Sequence, residues 1–305
     1  MRPLRGIACK LASVLVFITM SALIKSTADH VPAGEAVFFR SLFAIPVITV
    51  WLMARGEWPD GLRVQNPMGH VWRGVAGTCA MGLAFSGLAY LPLPEVTAIG
   101  YTGPLLTVVF AAMFLGEEVR LFRISAVALG VVGVMIVLWP RLTVTQSGMA
   151  SHAEALGAVL VLSGAVFSAL AQVFVRKLVA TEKTPAIVFW FSLTSTMLSL
   201  VTVPFGWVIP VAHEAATLVL AGLLGGIGQI LLTSSYREAD ASLIAPFEYA
   251  SMLFALAIGY TVFGEVPTLS MLSGASLIII AGILIILRER RLGLERARQR
   301  KAMTP

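Results

Sequence analysis

Long apolar runs dominate this chain, and short stretches that contain charged residues separate them. Ten of the runs are each about long enough for a bilayer-spanning helix, which needs roughly 20 predominantly apolar residues. They are apolar at consecutive positions, which favours helices over the alternating strands of a transmembrane barrel. We therefore predict an all-α integral membrane protein with ten transmembrane helices. The predicted spans cover residues 7–26, 34–54, 70–90, 95–115, 122–139, 155–175, 185–208, 215–235, 242–263 and 269–287.

The composition supports the same fold class. Of the 305 residues, 58% are hydrophobic and 12% are charged, and the mean hydropathy is +0.89. This is about half the charge of a typical soluble domain, and ten spans leave only short connections. Cys9 and Cys79 both lie in apolar runs, so the sequence predicts neither a disulfide framework nor a metal site. No cofactor is expected.

Lys and Arg alternate between the predicted loops. They concentrate at the N-terminus, in every second loop and in the tail, whereas the intervening loops hold only Lys25 and Arg141. Because cytoplasmic loops retain positive charge, we predict that both termini are cytoplasmic. This interpretation counts Lys10 with the N-terminus and Arg73 with the second loop. The net charge of +6 then follows from topology, and no nucleic-acid partner is expected.

The two halves of the chain repeat the same order of features. A shift of 151 residues places 37–42 on 188–193, and a shift of 148 places Gly116-Glu117 on Gly264-Glu265. Two repeats of five helices must enter the membrane in opposite directions. Inverted repeats are typical of alternating-access transporters, whose substrate site lies near the midplane between the halves. The predicted units are a first repeat at 1–139, a periplasmic connection at 140–154, a second repeat at 155–287 and a basic cytoplasmic tail at 288–305, with a central cavity between the repeats.

These features resemble the EamA type of the drug/metabolite transporter superfamily. The resemblance rests on the ten-helix plan, the paired Gly-Glu positions, Arg40 in the second span and Ala245-Pro246-Phe247-Glu248-Tyr249 in the ninth. It covers residues 7–287. It implies secondary transport of small metabolites in the bacterial inner membrane, including amino acids exported from bacteria.

The second repeat departs from this family pattern at one proline. In the first repeat Pro104 precedes Glu117 by thirteen residues, whereas the corresponding position of the second repeat is Met252. Whether Pro246 supplies the helix break instead is left open.

Arg40 and Glu248 are the two ionisable residues that lie clearly inside predicted spans. A charge there costs roughly 2.5 to 3.5 kcal/mol on insertion scales and needs a partner or a water-filled cavity. Arg40 either binds a substrate carboxylate or phosphate, or ties its helix to backbone carbonyls or to an acid such as Glu35. Glu248 either binds a substrate amine, or carries the coupling proton, or forms a permanent ion pair with Arg40.

Neutral polar and aromatic residues complete the predicted substrate-binding set. In a cavity they would supply hydrogen bonds and flat apolar walls, although each is also a common helix-packing residue. The Gly-Glu glutamates are interpreted as structural, with each carboxylate accepting N–H bonds at the start of the following helix. The candidates besides Arg40 and Glu248 are Tyr249, Tyr101, Gln172, Trp190 and Gln229.

Other function classes find less support. The sequence contains no HExxH motif, no paired intramembrane aspartates and no nucleotide-binding domain, which disfavours a membrane enzyme and an ATP-driven pump. A channel would show repeated filter residues, and a scaffold or receptor would have no cavity between the halves.

We therefore predict a transporter of small metabolites, with amino-acid export as the first hypothesis. Riboflavin, nucleoside and sugar-phosphate carriers are the alternatives. Phosphorylated substrates rank lower because Arg40 is the one deep Lys or Arg that the sequence indicates. The coupling ion and the oligomeric state stay open.

Overall fold

The computed structural model describes residues 3–115, 121–142, 149–179, 181–239 and 241–303, and every regular element in these ranges is helical. In the first half of the chain the α-helices are α1 (Pro3–Lys25), α2 (Ala33–Leu42), α3 (Ala44–Ala54), α4 (Pro67–Leu88), α5 (Leu93–Gly100), α6 (Thr102–Leu115) and α7 (Leu121–Leu142). In the second half they are α8 (Met149–Val179), α9 (Thr184–Ser199), α10 (Ala212–Glu238), α11 (Ala241–Ile244), α12 (Ala250–Phe263) and α13 (Leu269–Met303). Short 3₁₀ segments occupy Asp60–Leu62, Leu200–Phe205 and Ala245–Tyr249.

Each predicted span coincides with one helix or with consecutive helices. Seven stretches are long and apolar enough to cross a membrane, so the protein is a multi-pass membrane protein. Helices α4, α5–α6 and α7 also occupy predicted spans, but over the described residues they do not combine the length and apolarity of these seven stretches. The total of ten spans therefore stays a prediction. The seven stretches are Leu4–Lys25, Ala33–Ala54, His152–Val175, Thr184–Phe205, Ala212–Ser235, Pro246–Phe263 and Leu269–Arg288.

Three helix pairs form the most extensive contacts of the bundle, and each pair joins the two halves of the chain. Helix α1 packs on α10, α4 packs on α8, and α7 packs on α13. The α7–α13 pair approaches backbone to backbone, because a Cβ on Gly133 would lie 2.7 Å from the carbonyl oxygen of Gly274. Small residues at such crossings let transmembrane helices pack closely.

Local sequence signals explain where several helices begin and end. The side chain of Asn66 accepts the N–H of Gly69 and caps α4, which has Pro67 at its first position. Gly264 ends α12 in the left-handed conformation, with φ of 66°, which glycine adopts without a steric penalty. Glu182, between α8 and α9, accepts the N–H groups of Gln65 and Asn66 at 2.7 and 2.6 Å. This contact fixes the start of α4 against the second half of the chain.

Candidate functional site

Two helices are interrupted at corresponding positions of the two halves. Helix α5 ends at Gly100 and α6 begins at Thr102, while the 3₁₀ segment Ala245–Tyr249 precedes α12. The shift of 148 residues matches the start of α6 with the start of α12. Pro246 lies within the second interruption, so a proline is present at this break although the position that matches Pro104 is Met252. Paired helix breaks of this kind mark the substrate region in many transporters.

Tyr101 and Tyr249 lie at these two breaks and contact each other. Their ring centroids are 5.0 Å apart with an interplanar angle of 72°. The hydroxyl of Tyr101 lies 2.5 Å from Oγ of Ser251 and donates to the carbonyl of Tyr249 at 3.4 Å. Both tyrosines are buried, so the two predicted candidates form one polar aromatic contact between the halves.

Glu248 forms an ion pair with Lys10 and not with Arg40. Nζ of Lys10 donates to Oε2 of Glu248; the Lys10 side chain is 2% exposed, and that of Glu248 is 49% exposed. The charge count grouped Lys10 with the N-terminus, whereas α1 begins at Pro3 and places Lys10 about two turns inside the helix. The carboxylate therefore has a partner in the bundle and is still half-exposed.

Arg40 is buried in α2 against Phe191 of α9. Its side chain is 3% exposed, and Cζ lies 5.7 Å from the centroid of the Phe191 ring. Gly225 of α10 leaves room for it, since a Cβ there would lie 3.2 Å from Nε. Among the described residues, Nε and Nη1 of Arg40 have no hydrogen-bond partner. Glu35, the acid considered as a partner, instead accepts the N–H of Val208 at 3.1 Å.

Arg73 of α4 lies against the same ring, and the sequence analysis missed it. Its Cζ is 4.0 Å from the Phe191 centroid, and its Nε and Nη1 are also without a hydrogen-bond partner in the described part of the chain. A Cβ on Gly77 would overlap Nη1 of Arg73 and lie 2.7 Å from Cε2 of Phe191. Arg73 was counted with the loops because it stands near a span edge. Its long side chain turns back along α4 into the bundle, which contradicts the prediction that Arg40 is the one deep cation.

Three predicted candidates remain, namely Trp190, Gln172 and Gln229. Nε1 of Trp190 donates to the carbonyl of Leu62 at 3.0 Å, which places its polar edge on the connection between α3 and α4. Gln172 is exposed on α8 and Gln229 is half-buried on α10. Within the described residues, neither amide is hydrogen-bonded to another candidate. The geometry therefore assigns Trp190 a packing contact.

Glu265 has a different structural role from the one predicted. Its Oε2 accepts the N–H of Leu93 at 2.9 Å, and its Oε1 lies 3.1 Å from Nζ of Lys25. Nζ of Lys25 also donates to the carbonyls of Leu88 and Leu91 at 3.0 and 2.7 Å. Glu265 thus caps α5 and not the following helix, because the turn at Gly264 directs it across the bundle. We call these five residues the Lys25 latch; the matching Glu117 lies outside the described residues.

A cavity of about 220 Å³ lies beside the latch. Its wall includes Ile24, which precedes Lys25, and Ser86 and Tyr90, which flank the end of α4. The latch therefore lies next to a partly open cavity at one end of the bundle and joins both halves of the chain there.

Comparisons with known proteins agree over nearly the whole chain. A model of the EamA-like transporter family matches residues 4–139 and 155–288. A solved crystal structure that is 23% identical has a TM-score of 0.66, covering 96% of this chain and 99% of that one. At that identity the likeness shows the fold alone.

Curated relatives are similar over almost their full length. The pseudopaline exporter of Pseudomonas aeruginosa is 30% identical over 91% of this chain and 94% of its own. The S-adenosylmethionine uptake transporter of Rickettsia bellii is 26% identical, with 94% of each chain covered. The riboflavin transporter of Rhizobium johnstonii is 28% identical, covering 94% of this chain and 90% of its own. The three names share transport of a small molecule and differ in the molecule and in the direction.

Proposed function

Because this chain belongs to the EamA-like transporter family, we propose that it exports a small metabolite with a carboxylate group, of the amino-acid class, across the bacterial inner membrane. Transport itself follows from the family and its relatives. Export is supported by the likeness to the pseudopaline exporter. Alternating access and the amino-acid class rest on the geometry below.

The observation that carries the proposal is the buried guanidinium of Arg40. Among the described residues it has neither an acidic partner nor a hydrogen bond to Nε or Nη1. An ionised group in an apolar bundle is costly unless a counter-charge compensates it. A substrate carboxylate supplies that charge and fits the planar donors of arginine.

Two contacts between equivalent residues support the proposed arrangement of inverted repeats. Arg40 and Phe191 are equivalent under the shift of 151 residues, and they touch each other. Tyr101 and Tyr249 are equivalent under the shift of 148 residues, and they also touch. Equivalent residues meet where an approximate two-fold axis passes between two halves. We place the substrate along this axis, between the repeats at 1–139 and 155–287.

Glu248 is the proposed partner for the substrate amine or the coupling proton. Its carboxylate is half-exposed while bonded to the buried Lys10. An incoming ammonium group or a proton competes with Lys10 for the same oxygen atoms, so the ion pair provides a position that can exchange partners. With both termini cytoplasmic, as the loop charges predict, Lys10 and Glu248 lie towards the cytoplasmic half of the bundle.

Transport by purified protein in proteoliposomes tests the proposal. We expect saturable flux for amino acids in a panel with riboflavin, nucleosides and sugar phosphates, and at least tenfold less flux in Arg40→Gln. Arg55→Gln is the matched control, because Arg55 stacks on Trp51 at 5.2 Å but is 40% exposed. Equal loss in both variants, or flux of riboflavin or nucleosides alone, would overturn the carboxylate assignment.

An imposed pH gradient distinguishes the two roles of Glu248. If this residue carries the coupling proton, the gradient accelerates wild-type flux and has no effect in Glu248→Gln. If it binds the substrate amine, Glu248→Gln raises KM for amino acids more than for the corresponding carboxylic acids that lack the amine, and the gradient response is unchanged.

A further inference from the structure

Arg40 and Arg73 form one cationic site, and this inference deepens the proposed function by naming the substrate class. We propose that the transported molecule is a small organic dianion, in which one anionic group is bound by each guanidinium. The proposal depends on the transport function, but the binding site can be measured separately.

The two guanidinium groups are neighbours on different helices. Their Cζ atoms lie 5.7 and 4.0 Å from the centroid of the same ring, Phe191. The distance between them is therefore no greater than the sum of these two values. A molecule whose two anionic groups are separated by a few bonds can reach both cations at once.

The surroundings leave this double charge uncompensated. None of the ion pairs within the described ranges involves Arg40 or Arg73, and Nε and Nη1 of both have no hydrogen-bond partner there. Two like charges within this limit in an apolar bundle repel each other. A monoanion neutralises one of them, whereas a dianion neutralises both.

Glycines on two helices provide the room for these side chains. A methyl group on Gly77 would overlap Arg73, and one on Gly225 would lie 3.2 Å from Nε of Arg40. The buried hydroxyls of Ser41 and Ser192, next to Arg40 and Phe191 in sequence, also have no hydrogen-bond partner among the described residues. These hydroxyls occupy equivalent positions of the two halves, on the same two helices as Arg40 and Phe191.

The contacts with Phe191 orient the two cations but do not neutralise their charge. The face of an aromatic ring attracts a guanidinium through its quadrupole, but the ring is neutral and leaves the net charge unchanged. Arg55 shows the same contact with Trp51 at an exposed position, where water screens the charge. In contrast, Arg40 is 3% exposed, so screening by water is small there.

Matched pairs of ligands test the proposal on the wild-type protein without any mutation. Glutamate, succinate and O-phosphoserine are each compared with a partner of lower charge, namely glutamine, succinamate and serine. We expect each dianionic or doubly acidic member to raise the melting temperature of the purified protein at concentrations at least tenfold lower than its partner. The same members should compete at least tenfold better for transport in proteoliposomes.

Variants then test whether Arg73 binds the second anionic group. Arg73→Gln is expected to abolish the preference for the more acidic member of each pair in both the thermal shift and the competition assay, and Arg73→Lys is expected to retain part of the preference. Arg55→Gln should behave as wild type. Equal thermal shifts within every pair, or a preference that survives in Arg73→Gln, would overturn the proposal.

The two proposals fail in different ways. Stabilisation by dianions alone, without flux of any tested compound, would support the anion site and would count against the proposed export of amino acids. Amino-acid flux with no discrimination within the pairs would retain the proposed function and refute the dianion site.

Discussion

The Lys25 latch should hold one end of the bundle closed, and Glu265→Gln should weaken it. The Lys25 and Glu265 side chains are 14% and 13% exposed and 3.1 Å apart. At an effective dielectric constant of about 20, their gross attraction is about 5 kcal/mol. Dehydration of both groups opposes it, so we expect a net coupling of about 2 kcal/mol. That energy corresponds to roughly a 30-fold change in the ratio of closed to open states.

The rate of thiol labelling in the cavity beside the latch reports the ratio of closed to open states. Ser86 lines that cavity, so Ser86→Cys in a chain with Cys9 and Cys79 replaced by serine gives a single reporter. Because Ser86 is half-buried, we expect a membrane-impermeant maleimide to react faster with this cysteine in Glu265→Gln, by up to roughly 30-fold.

A double-mutant cycle isolates the ion pair from other effects of the substitutions. Lys25→Met should accelerate labelling to a similar degree, and the double variant should add little, because one latch can be lost only once. Glu57→Gln, which breaks an ion pair with Arg55 of similar length at the surface, should leave the rate unchanged. Additive effects of the two substitutions, or an unchanged rate in Glu265→Gln, would refute a closing role for this contact.

Two further predictions concern packing and the helix breaks. Gly133→Ala places a methyl group 2.7 Å from a backbone oxygen of α13 and should lower the melting temperature by several degrees. Gly82→Ala is the control, because the space at its Cβ position is open, and it should leave the melting temperature unchanged. Similar melting temperatures of the two variants would contradict the close crossing. Tyr101→Phe removes the hydrogen bond to Ser251 and should lower the free energy of unfolding by about 1 kcal/mol. It should also raise KM for transport more than it lowers kcat. Unchanged transport kinetics would place the tyrosine pair outside the substrate path.

The hydrophobic pattern was sufficient to locate the helices. Span length and uninterrupted apolarity are properties of consecutive residues, so the runs matched helices throughout the described residues. The shift of 148 residues that aligns the Gly-Glu positions also aligns Tyr101 with Tyr249. It did not predict that equivalent residues would touch, because that depends on where the two halves pack together.

The charged residues were predicted less well, for reasons that involve side-chain direction and long-range contacts. Arg73 and Lys10 lie near span edges, and sequence position does not show whether a long side chain points to water or turns into the bundle. The pairing of Lys25 with Glu265 joins residues 240 positions apart, and no local pattern specifies it.

If the two halves are inverted repeats, as proposed, the contact between Arg40 and Phe191 also constrains how they can diverge. Residues on a symmetry axis face their own counterparts, so two identical arginines there would set like charge against like charge. With phenylalanine as the counterpart, one half contributes the cation and the other contributes the ring that faces it. A charged axial position must therefore become chemically unequal after duplication, unlike the neutral pair of Tyr101 and Tyr249, and that inequality lets the proposed two-fold arrangement recognise an asymmetric molecule.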